Sequence, residues 1–417
     1  MRRLSNLTWH LGLGREIGFL FWAMVSLEAA YGSYSGIWPL WIQHLGAPVS
    51  VVGLVLGAAG LMRLITLAPS ASLAERIDPR RIIIVARCFA VAGLVSAALA
   101  TNWTQLWFMV IATAIGEVAF PLTQAHLASR AGQNRVRAFT LVFNVGPAVA
   151  FGFAPLIAGV LIARSGMQAA LFLGVVFGIL SIVFFAGLSP APPAAPEPGA
   201  ARVTYREALG QPGVARLLML QFATIFTLSL GISLLPNFLA DERGIPASVV
   251  AVLAGIGSAG SVVYGLIIAR SKRLQSLPMV GVVVGALLVC VTLSVSLATS
   301  FVPAIVVAFL GRGGLWSAWG LFIAALGEVV HSERHRPRAF TLSEMVGGTA
   351  FFSAPIVSGF LYEVRPSLPM MASMALAVAL VPVLLLNQRA IGELLARAKD
   401  AHVLTSPVGT NVEAEVV

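Results

Sequence analysis

Twelve stretches of about 20 predominantly apolar residues follow one another along this 417-residue chain. A helix of that length crosses the hydrocarbon core of a bilayer, and no soluble core could bury so much apolar surface. Charged residues make up 11% of the chain, whereas soluble domains contain roughly 25%. The chain is therefore predicted to be an integral membrane protein. The predicted spans are 17–43, 50–73, 81–101, 105–128, 138–163, 167–189, 214–239, 248–269, 277–299, 302–330, 339–362 and 367–387.

The segment 190–213 divides these spans into two sets of six. Its sequence, PAPPAAPEPGAARVTYREALGQPG, is rich in Pro and Ala and is typical of a linker. We therefore predict an N-terminal six-helix bundle in 1–189 and a C-terminal six-helix bundle in 214–399. The remainder, 400–417, is predicted to be a disordered polar tail.

Lys and Arg are distributed unevenly between alternate segments outside the spans. Seven segments hold three Lys or Arg each, whereas the segments between them together hold only Arg164, Arg243 and Arg365. Because basic loops stay on the cytoplasmic side, both termini and the linker are predicted to be cytoplasmic, with the protein in the cell membrane. The net charge of +10 then reflects contact with anionic lipid headgroups, and no nucleic-acid partner is expected.

The pentapeptide RAFTL occurs twice, beginning at Arg137 and at Arg338. A Val-Gly pair and an Ala-Pro pair follow each copy. A second pair of similar stretches begins at Pro39 and at Pro236. The two halves therefore repeat in the same orientation, and parallel repeats of this kind place a substrate site at their interface near the bilayer midplane.

With these features the chain resembles the major facilitator superfamily over all twelve spans. The family's most specific sequence mark lies between spans two and three and is close to Gly-x-Leu-Ala-Asp-Arg-x-Gly-Arg-Arg. The same place here reads ASLAERIDPRR, in which Glu75 stands for the family's Asp and three other positions differ. The resemblance implies an all-α integral membrane protein with twelve transmembrane helices in two pseudo-symmetric six-helix bundles.

The same motif implies a conformational latch at the inner ends of helices two and three, formed by Glu75, Arg76, Arg80 and Arg81. A polar turn that only orients the chain is the alternative. In the fifth span, APLIAG from Ala154 matches the family's antiporter pattern only in part. This partial match slightly favours export over import.

Several ionisable residues fall inside the predicted spans. Glu28, Arg63, Glu117 and Arg312 are expected near the midplane, where a charge costs at least about 2.5–3.5 kcal/mol on insertion scales. An embedded carboxylate that can exchange a proton is the property that coupling to a proton gradient needs. Glu28 and Glu117 are therefore the proton-coupling candidates, and Glu344, nearer the inner surface, is the next.

Glu117 and Arg312 each follow a glycine in equivalent spans, as IGE and LGR. Pseudo-symmetry could place them on opposite walls of one cavity, where Arg312 would hold an anionic group and Glu117 would exchange a proton. A buried ion pair that only fixes helix packing is the alternative. Arg87, also within a span, is expected nearer the inner surface.

The candidate substrate-binding residues combine the midplane cations with nearby aromatic side chains, for which a packing role is the alternative. They are Arg312, Arg63, Tyr31, Tyr34, Trp316 and Trp319.

The predicted function is secondary active transport of a small organic solute by alternating access, coupled to protons. An uncoupled facilitator is the first alternative. A polytopic membrane enzyme or lipid-handling protein is the second, and it would need a clustered catalytic set that these short loops do not supply. We expect no catalytic residue, cofactor or metal. The expected partners are a small-molecule substrate, protons and the lipid bilayer, and the expected state is a monomer.

Overall fold

The structure of the protein is a computed structural model, which describes residues 14–67, 77–130, 135–190, 204–271, 274, 276–330 and 335–405. The described chain is helical and contains no strand. The helices of the first half are α1 (Arg15–Ser35), α2 (Trp38–His44), α3 (Val49–Leu67), α4 (Pro79–Leu99), α5 (Leu106–Glu117), α6 (Ala119–Arg130), α7 (Arg135–Thr140), α8 (Gly146–Ser165) and α9 (Met167–Ala186). The remaining helices are α10 (Tyr205–Leu209), α11 (Val214–Ile232), α12 (Leu235–Asp241), α13 (Ala247–Arg270), α14 (Pro278–Ala298), α15 (Val302–Phe309), α16 (Gly314–Val329), α17 (Arg336–Val364) and α18 (Leu368–Thr405).

Eleven stretches of the described chain are long and apolar enough to cross a membrane. The first span, formed by α1 and α2, is not among them, because Ser26, Glu28 and Ser33 lower its hydropathy. It packs against α8 and α9 within the bundle and completes the set of twelve. The predicted fold class, twelve transmembrane helices in two pseudo-symmetric bundles, is confirmed. We call the end of the bundle at which α1 begins the inner end, after the predicted orientation.

The first span of each half breaks at the same place. α1 gives way to the seven-residue helix α2, and α11 gives way to the seven-residue helix α12. The residue before each short helix has the same backbone conformation, with φ of −108° at both Ile37 and Leu234. Pro39 and Pro236 are the second residues of these helices, where a proline's missing N–H leaves no helical bond unmade.

The two RAFTL copies also occupy equivalent positions, because Arg137 is the third residue of α7 and Arg338 the third residue of α17. The first copy, however, carries one more residue between its Val-Gly and Ala-Pro pairs. A π-helical turn, Leu141–Val145, lies between α7 and α8, and the N–H of Gly146 bonds to the carbonyl oxygen of Leu141. A π turn accommodates a single inserted residue without ending the helix, whereas α17 runs through this level unbroken.

The predicted linker 190–213 contains a short helix, α10. Thr204 and Glu207 form a capping box at its start, in which each side chain bonds to the other residue's backbone N–H. The helix packs on α17, where Arg338 donates a 3.0 Å hydrogen bond to the hydroxyl of Tyr205 and stacks over its ring. At the other end of this half, α18 continues to Thr405, beyond the predicted end of the last span.

Candidate functional site

Two helix pairs join the halves: α3 packs against α17, and α8 packs against α13. Glycines on α3 make the first contact possible. A Cβ on Gly53 would lie 2.3 Å from the carbonyl oxygen of Pro355, and one on Gly57 would lie 2.6 Å from that of Phe352. Because these distances leave no room for a side chain, the two backbones approach each other directly along this seam.

Polar side chains join the halves at the outer end. Asn237 is buried and donates to the carbonyl oxygen of Pro39 (3.3 Å) and to Oε1 of Gln43 (2.6 Å). Gln43 in turn donates to Oδ2 of Asp241 (2.9 Å), which also accepts from the hydroxyl of Tyr362 (3.3 Å). We call these five residues the outer clasp. They hold the tips of α2, α12 and α17 together.

Close approaches between the halves continue just below the clasp. The N–H of Ser50 donates to a carboxylate oxygen of Glu363 at 3.2 Å. Between α8 and α13, a Cβ on Gly159 would lie 2.8 Å from the carbonyl oxygen of Ser248. The structure is therefore closed at the outer end of the seam.

A charge cluster lies deeper in the N-terminal half. Arg87 of α4 is 5% exposed and interacts electrostatically with Glu28 of α1 and with Glu117, the last residue of α5. Tyr34 interacts with all three of these charges. The glycine before Glu117 lets α5 approach α4 closely, because a Cβ on Gly116 would lie only 2.8 Å from the Cβ of Ala90; the same position is 3.8 Å from Nη1 of Arg87, which places the guanidinium beside this end of α5. Three spans thus contribute two partly buried carboxylates, a buried guanidinium and a buried phenol to a single cluster.

Arg87 is the member of this cluster that the sequence prediction missed. It lies eight residues into α4, or about 12 Å along the axis at 1.5 Å per residue. The expectation placed it near the inner surface, where a long arginine side chain can extend to water. Its side chain is instead buried among the carboxylates. The signal was present, since an arginine in so apolar a run requires a partner inside the bundle.

Tyr31 marks the space between the halves. It is 49% exposed although it lies near the middle of the first span. Its ring is 5.6 Å from those of both Tyr34 and Phe151, and its hydroxyl end interacts electrostatically with Arg312 of the other half. Tyr31 therefore presents an exposed face close to Phe151 and to Arg312 of the other half, below the closed outer end.

Arg312 lies in a tight turn, Leu310–Gly313, that interrupts the tenth span between α15 and α16. Its aliphatic stem crosses Gly257 of α13, where a Cβ would lie 3.1 Å from Cδ. The side chain borders a small cavity that Gly36 and Pro236 also line, directly under the clasp. Arg312 therefore lies at the seam between the halves, and the cation beside Glu117 is Arg87.

The predicted aromatic residues of the tenth span pack on one ring of α17. Trp316 is 52% exposed, and its ring centroid is 5.6 Å from that of Phe351. Trp319 is partly buried, 5.7 Å from the same phenylalanine, and its indole covers Gly347 so closely that no Cβ would fit there. The two tryptophans and Phe351 thus form an aromatic patch on the inner side of Arg312.

The structure describes the remaining predicted residues only in part. Arg63 belongs to α3, but its side chain lies outside the described residues, as do Glu75 and Arg76. Glu344 is partly buried in α17.

For the predicted latch, the structure describes Arg80 and Arg81. The guanidinium of Arg80 donates a hydrogen bond to the carbonyl oxygen of Ala186, the last residue of α9. Arg81 is exposed. This part of the predicted latch joins two helix ends within the same half.

Two six-helix halves, closed at the outer end and carrying interacting charges inside their spans, define a membrane transporter rather than an enzyme. A family model described as Major Facilitator Superfamily matches residues 20–332. This range is more than half of the sequence, so the chain belongs to the Major Facilitator Superfamily. No curated protein matches the chain in sequence.

Solved structures similar to this one are also transporters. A mutant of the nucleoside transporter NupG is 14% identical, with a TM-score of 0.70 over 90% of this chain and 100% of that chain. A peptide transporter of the POT family in complex with sulfate is 14% identical, with a TM-score of 0.71 over 91% and 95%. A bacterial homologue of the human lysosomal transporter Spinster is 16% identical, with a TM-score of 0.64 over 93% and 95%. At these identities the similarity concerns the fold.

Proposed function

We propose that this protein is a proton-coupled secondary transporter that moves a small organic solute across the cell membrane by alternating access. It works as a monomer with both termini in the cytoplasm. The observation that carries the proposal is the cluster in which Glu28 and Glu117 both interact with the buried Arg87. Two carboxylates beside one guanidinium form a site that can hold one proton, because neutralising one carboxylate leaves a matched ion pair with the other.

The position of the cluster supports its coupling role. Its residues belong to the first, third and fourth spans, and Tyr34 connects it to Tyr31, which lies close to Arg312 of the other half. Protonation changes the charge next to that contact between the halves. It can therefore shift the balance between the two access states by its differential effect on them.

The helix pairs α3–α17 and α8–α13 supply the surfaces on which the halves rock. Opening towards the outside would separate the clasp residues Asn237 and Asp241 from Gln43. Closing on the inside would bring the inner ends of these four helices together, with the Arg80 contact keeping α4 and α9 moving as one body.

Transport by the purified protein in proteoliposomes tests the coupling. The substrate for the assay is the solute that most strongly raises the thermal stability of the purified protein. In Glu28→Gln or Glu117→Gln, accumulation driven by an imposed pH gradient should fall to background, while counterflow exchange without a gradient persists. Exchange requires no net proton movement, and glutamine mimics the protonated carboxylate.

Glu328→Gln is the matched control, because Glu328 is an exposed carboxylate at the inner end of α16. It should accumulate substrate as the wild type does.

Proton-driven accumulation in both single variants and in the double variant would rule out this cluster, and Glu344 would be tested next. A wild-type protein that exchanges substrate but never accumulates it is a facilitator. Reversing the gradient separates import from export, the direction that the fifth-span motif slightly favours.

A further inference from the structure

We infer that Arg312 binds an anionic group of the substrate, so that the transported solute is a small organic anion, such as a carboxylate, with an apolar body. This inference rests on the proposed transport function and names the substrate class of its cavity.

The first reason is the lack of a counter-charge. Within the described part of the chain, Arg312 has no hydrogen bond and no ion pair, and the electrostatic neighbour that the structure gives it is the phenol of Tyr31. Arg87, the other described arginine inside a span, has two carboxylates beside it. A guanidinium near the bilayer centre is costly unless an anion accompanies it. A ligand can supply that anion.

The second reason is the position of the side chain. Arg312 comes from the C-terminal half and Tyr31 from the N-terminal half, and only a narrow gap, also bordered by Gly36 of the first span, lies between Arg312 and the closed outer end. An anion bound between Arg312 and Tyr31 would contact both halves at once. Alternating access requires such contact, because the substrate binds at the interface between the two halves. The planar guanidinium offers parallel donors that match a carboxylate, and the Tyr31 hydroxyl adds a further donor.

The third reason is that glycines clear the space around this turn. A side chain at Gly257 would press on the stem of Arg312, since a Cβ there would lie 3.1 Å from Cδ. Gly313 packs directly on α13, with a Cβ position 2.1 Å from the backbone nitrogen of Ser261. The turn is thereby held against its neighbour, and the guanidinium is fixed at the seam.

The surrounding side chains indicate the rest of the solute. Tyr31 packs against Phe151 on one side of the seam, with the two rings tilted by 55°. Trp316, one turn from Arg312 along the tenth span and half-exposed, packs against Phe351 on the other. Aromatic surfaces of this kind accommodate an apolar or aromatic body, while the charged group lies against the arginine.

Thermal stabilisation of the purified protein by matched ligand pairs tests this inference. The pairs are acetate, benzoate and phenylacetate, each compared with its own primary amide, so that charge changes while shape is kept. We expect the carboxylates to stabilise the wild type and the amides to have no effect, with benzoate and phenylacetate binding more tightly than acetate. Arg312→Gln should weaken carboxylate binding by at least about tenfold, the loss expected for a charge-assisted contact.

Two further variants complete the design. Arg312→Lys keeps the charge without the planar fork and should bind carboxylates with intermediate affinity. Arg216→Gln removes an exposed arginine at the inner end of α11 and should bind them as the wild type does. Should Arg312→Gln not elute as a monodisperse protein, the Lys variant supplies the comparison.

Three results would overturn the inference: stabilisation of the wild type by acid and amide alike, undiminished carboxylate binding in Arg312→Gln, or no stabilisation by any carboxylate. Because binding is measured without a gradient, the outcome is separate from that of the coupling assay. Carboxylate binding through Arg312 without proton-driven accumulation would uphold the anion site and reject the coupling. Proton-driven accumulation without carboxylate binding through Arg312 would uphold the coupling and reject the anion site.

Discussion

The two halves of this transporter share their backbone plan but differ in the charges that it carries. The helices α4 and α14 both begin with proline and both have 21 residues, so Arg87 in the first corresponds to Ala286 in the second. Counted from the matched prolines of α2 and α12, Glu28 corresponds to Ile225. The C-terminal half thus has apolar, buried residues where the N-terminal half has its cluster.

The fourth and tenth spans differ in a complementary way. Both are interrupted where a glycine precedes a charged residue, but the charge is Glu117 in one and Arg312 in the other. The N-terminal half therefore holds the acids and the C-terminal half the unmatched cation. The formal charges of Glu28, Glu117, Arg87 and Arg312 sum to zero. Adding an anion alone would give these four residues and their ligand a net charge, whereas adding an anion and a proton keeps that sum at zero, which favours moving both together.

Removing each arginine in turn is the strongest test of this difference. Arg87→Met removes the buried guanidinium beside the partly buried carboxylates Glu28 and Glu117, and it should lower the free energy of unfolding by about 1–3 kcal/mol. Arg312→Met removes a cation that has no ion pair among the described residues, so it should change stability little or raise it. Thermal unfolding in detergent measures both.

Adding Glu117→Gln to Arg87→Met serves as the control, because it removes the charge of one of the two carboxylates beside the lost arginine. The double variant should regain part of the lost stability. Equal losses for the two arginine variants would contradict the contrast between the halves.

Hydropathy reports the length and position of apolar helices, and this determines how much of the arrangement could be predicted from the sequence. The spans were predictable because a bilayer fixes the length of an apolar helix. The equivalent breaks in the first span of each half could be expected from the sequence repeat, because Pro39 and Pro236 occupy equivalent positions in it. Hydropathy does not reveal which face of a helix a side chain occupies, so Arg87 was expected at the surface rather than beside Glu117. That orientation depends on how α4 packs on α5.

Two further features depended on tertiary structure in the same way. The extra residue in the first RAFTL copy can be counted in the sequence, but its accommodation as the π turn Leu141–Val145 depends on the packing around α8. The helix α10 was hidden in a Pro- and Ala-rich segment. Its capping box, Thr204 with Glu207, is the local signal that could have indicated it.

The outer clasp offers a second test with a smaller expected effect. Its hydrogen bonds join the two halves, so removing them should favour opening at the outer end. Asn237→Ala removes two hydrogen bonds across the seam. Buried bonds of this kind contribute about 1–2 kcal/mol together, so the outward-open population should rise roughly 5- to 30-fold. Asn387→Ala, which removes an exposed bond within α18 only, should leave that population unchanged.

Spin labels at His44→Cys and Glu242→Cys, both exposed near the clasp, report this opening as a longer distance between the tips of α2 and α12. The native cysteines are replaced in this background. An unchanged distance distribution in the Asn237 variant would mean that the clasp contributes nothing to closure.

The smallest expected effect concerns Glu16, at the inner end of the N-terminal half. Burial opposes ionisation of this carboxyl, but hydrogen bonds from the backbone and hydroxyl of Ser189, together with His126, outweigh burial and lower its pKa. Its stabilising contribution is therefore complete above the unfolded pKa of about 4.3 and is lost as the pH falls through the lower pKa of the folded state.

Glu16→Gln should accordingly lower stability by about 0.5–1 kcal/mol at pH 7, and by less as the pH falls below 4. Thermal unfolding of the wild type and the variant across this range measures the difference. A gap between them that widens on acidification would contradict the assigned hydrogen bonds.

The central claim, that the N-terminal half takes up a proton when the C-terminal half binds an anion, is tested most directly by counting protons. Calorimetric titration of the strongest-binding carboxylate at one pH, in buffers of different ionisation enthalpy, gives the number of protons taken up per anion bound. We predict a value near one for the wild type and near zero for the Glu28→Gln, Glu117→Gln double variant, with anion binding retained in both. Carboxylate binding to the wild type without proton uptake, or uptake that survives in the double variant, would contradict the account.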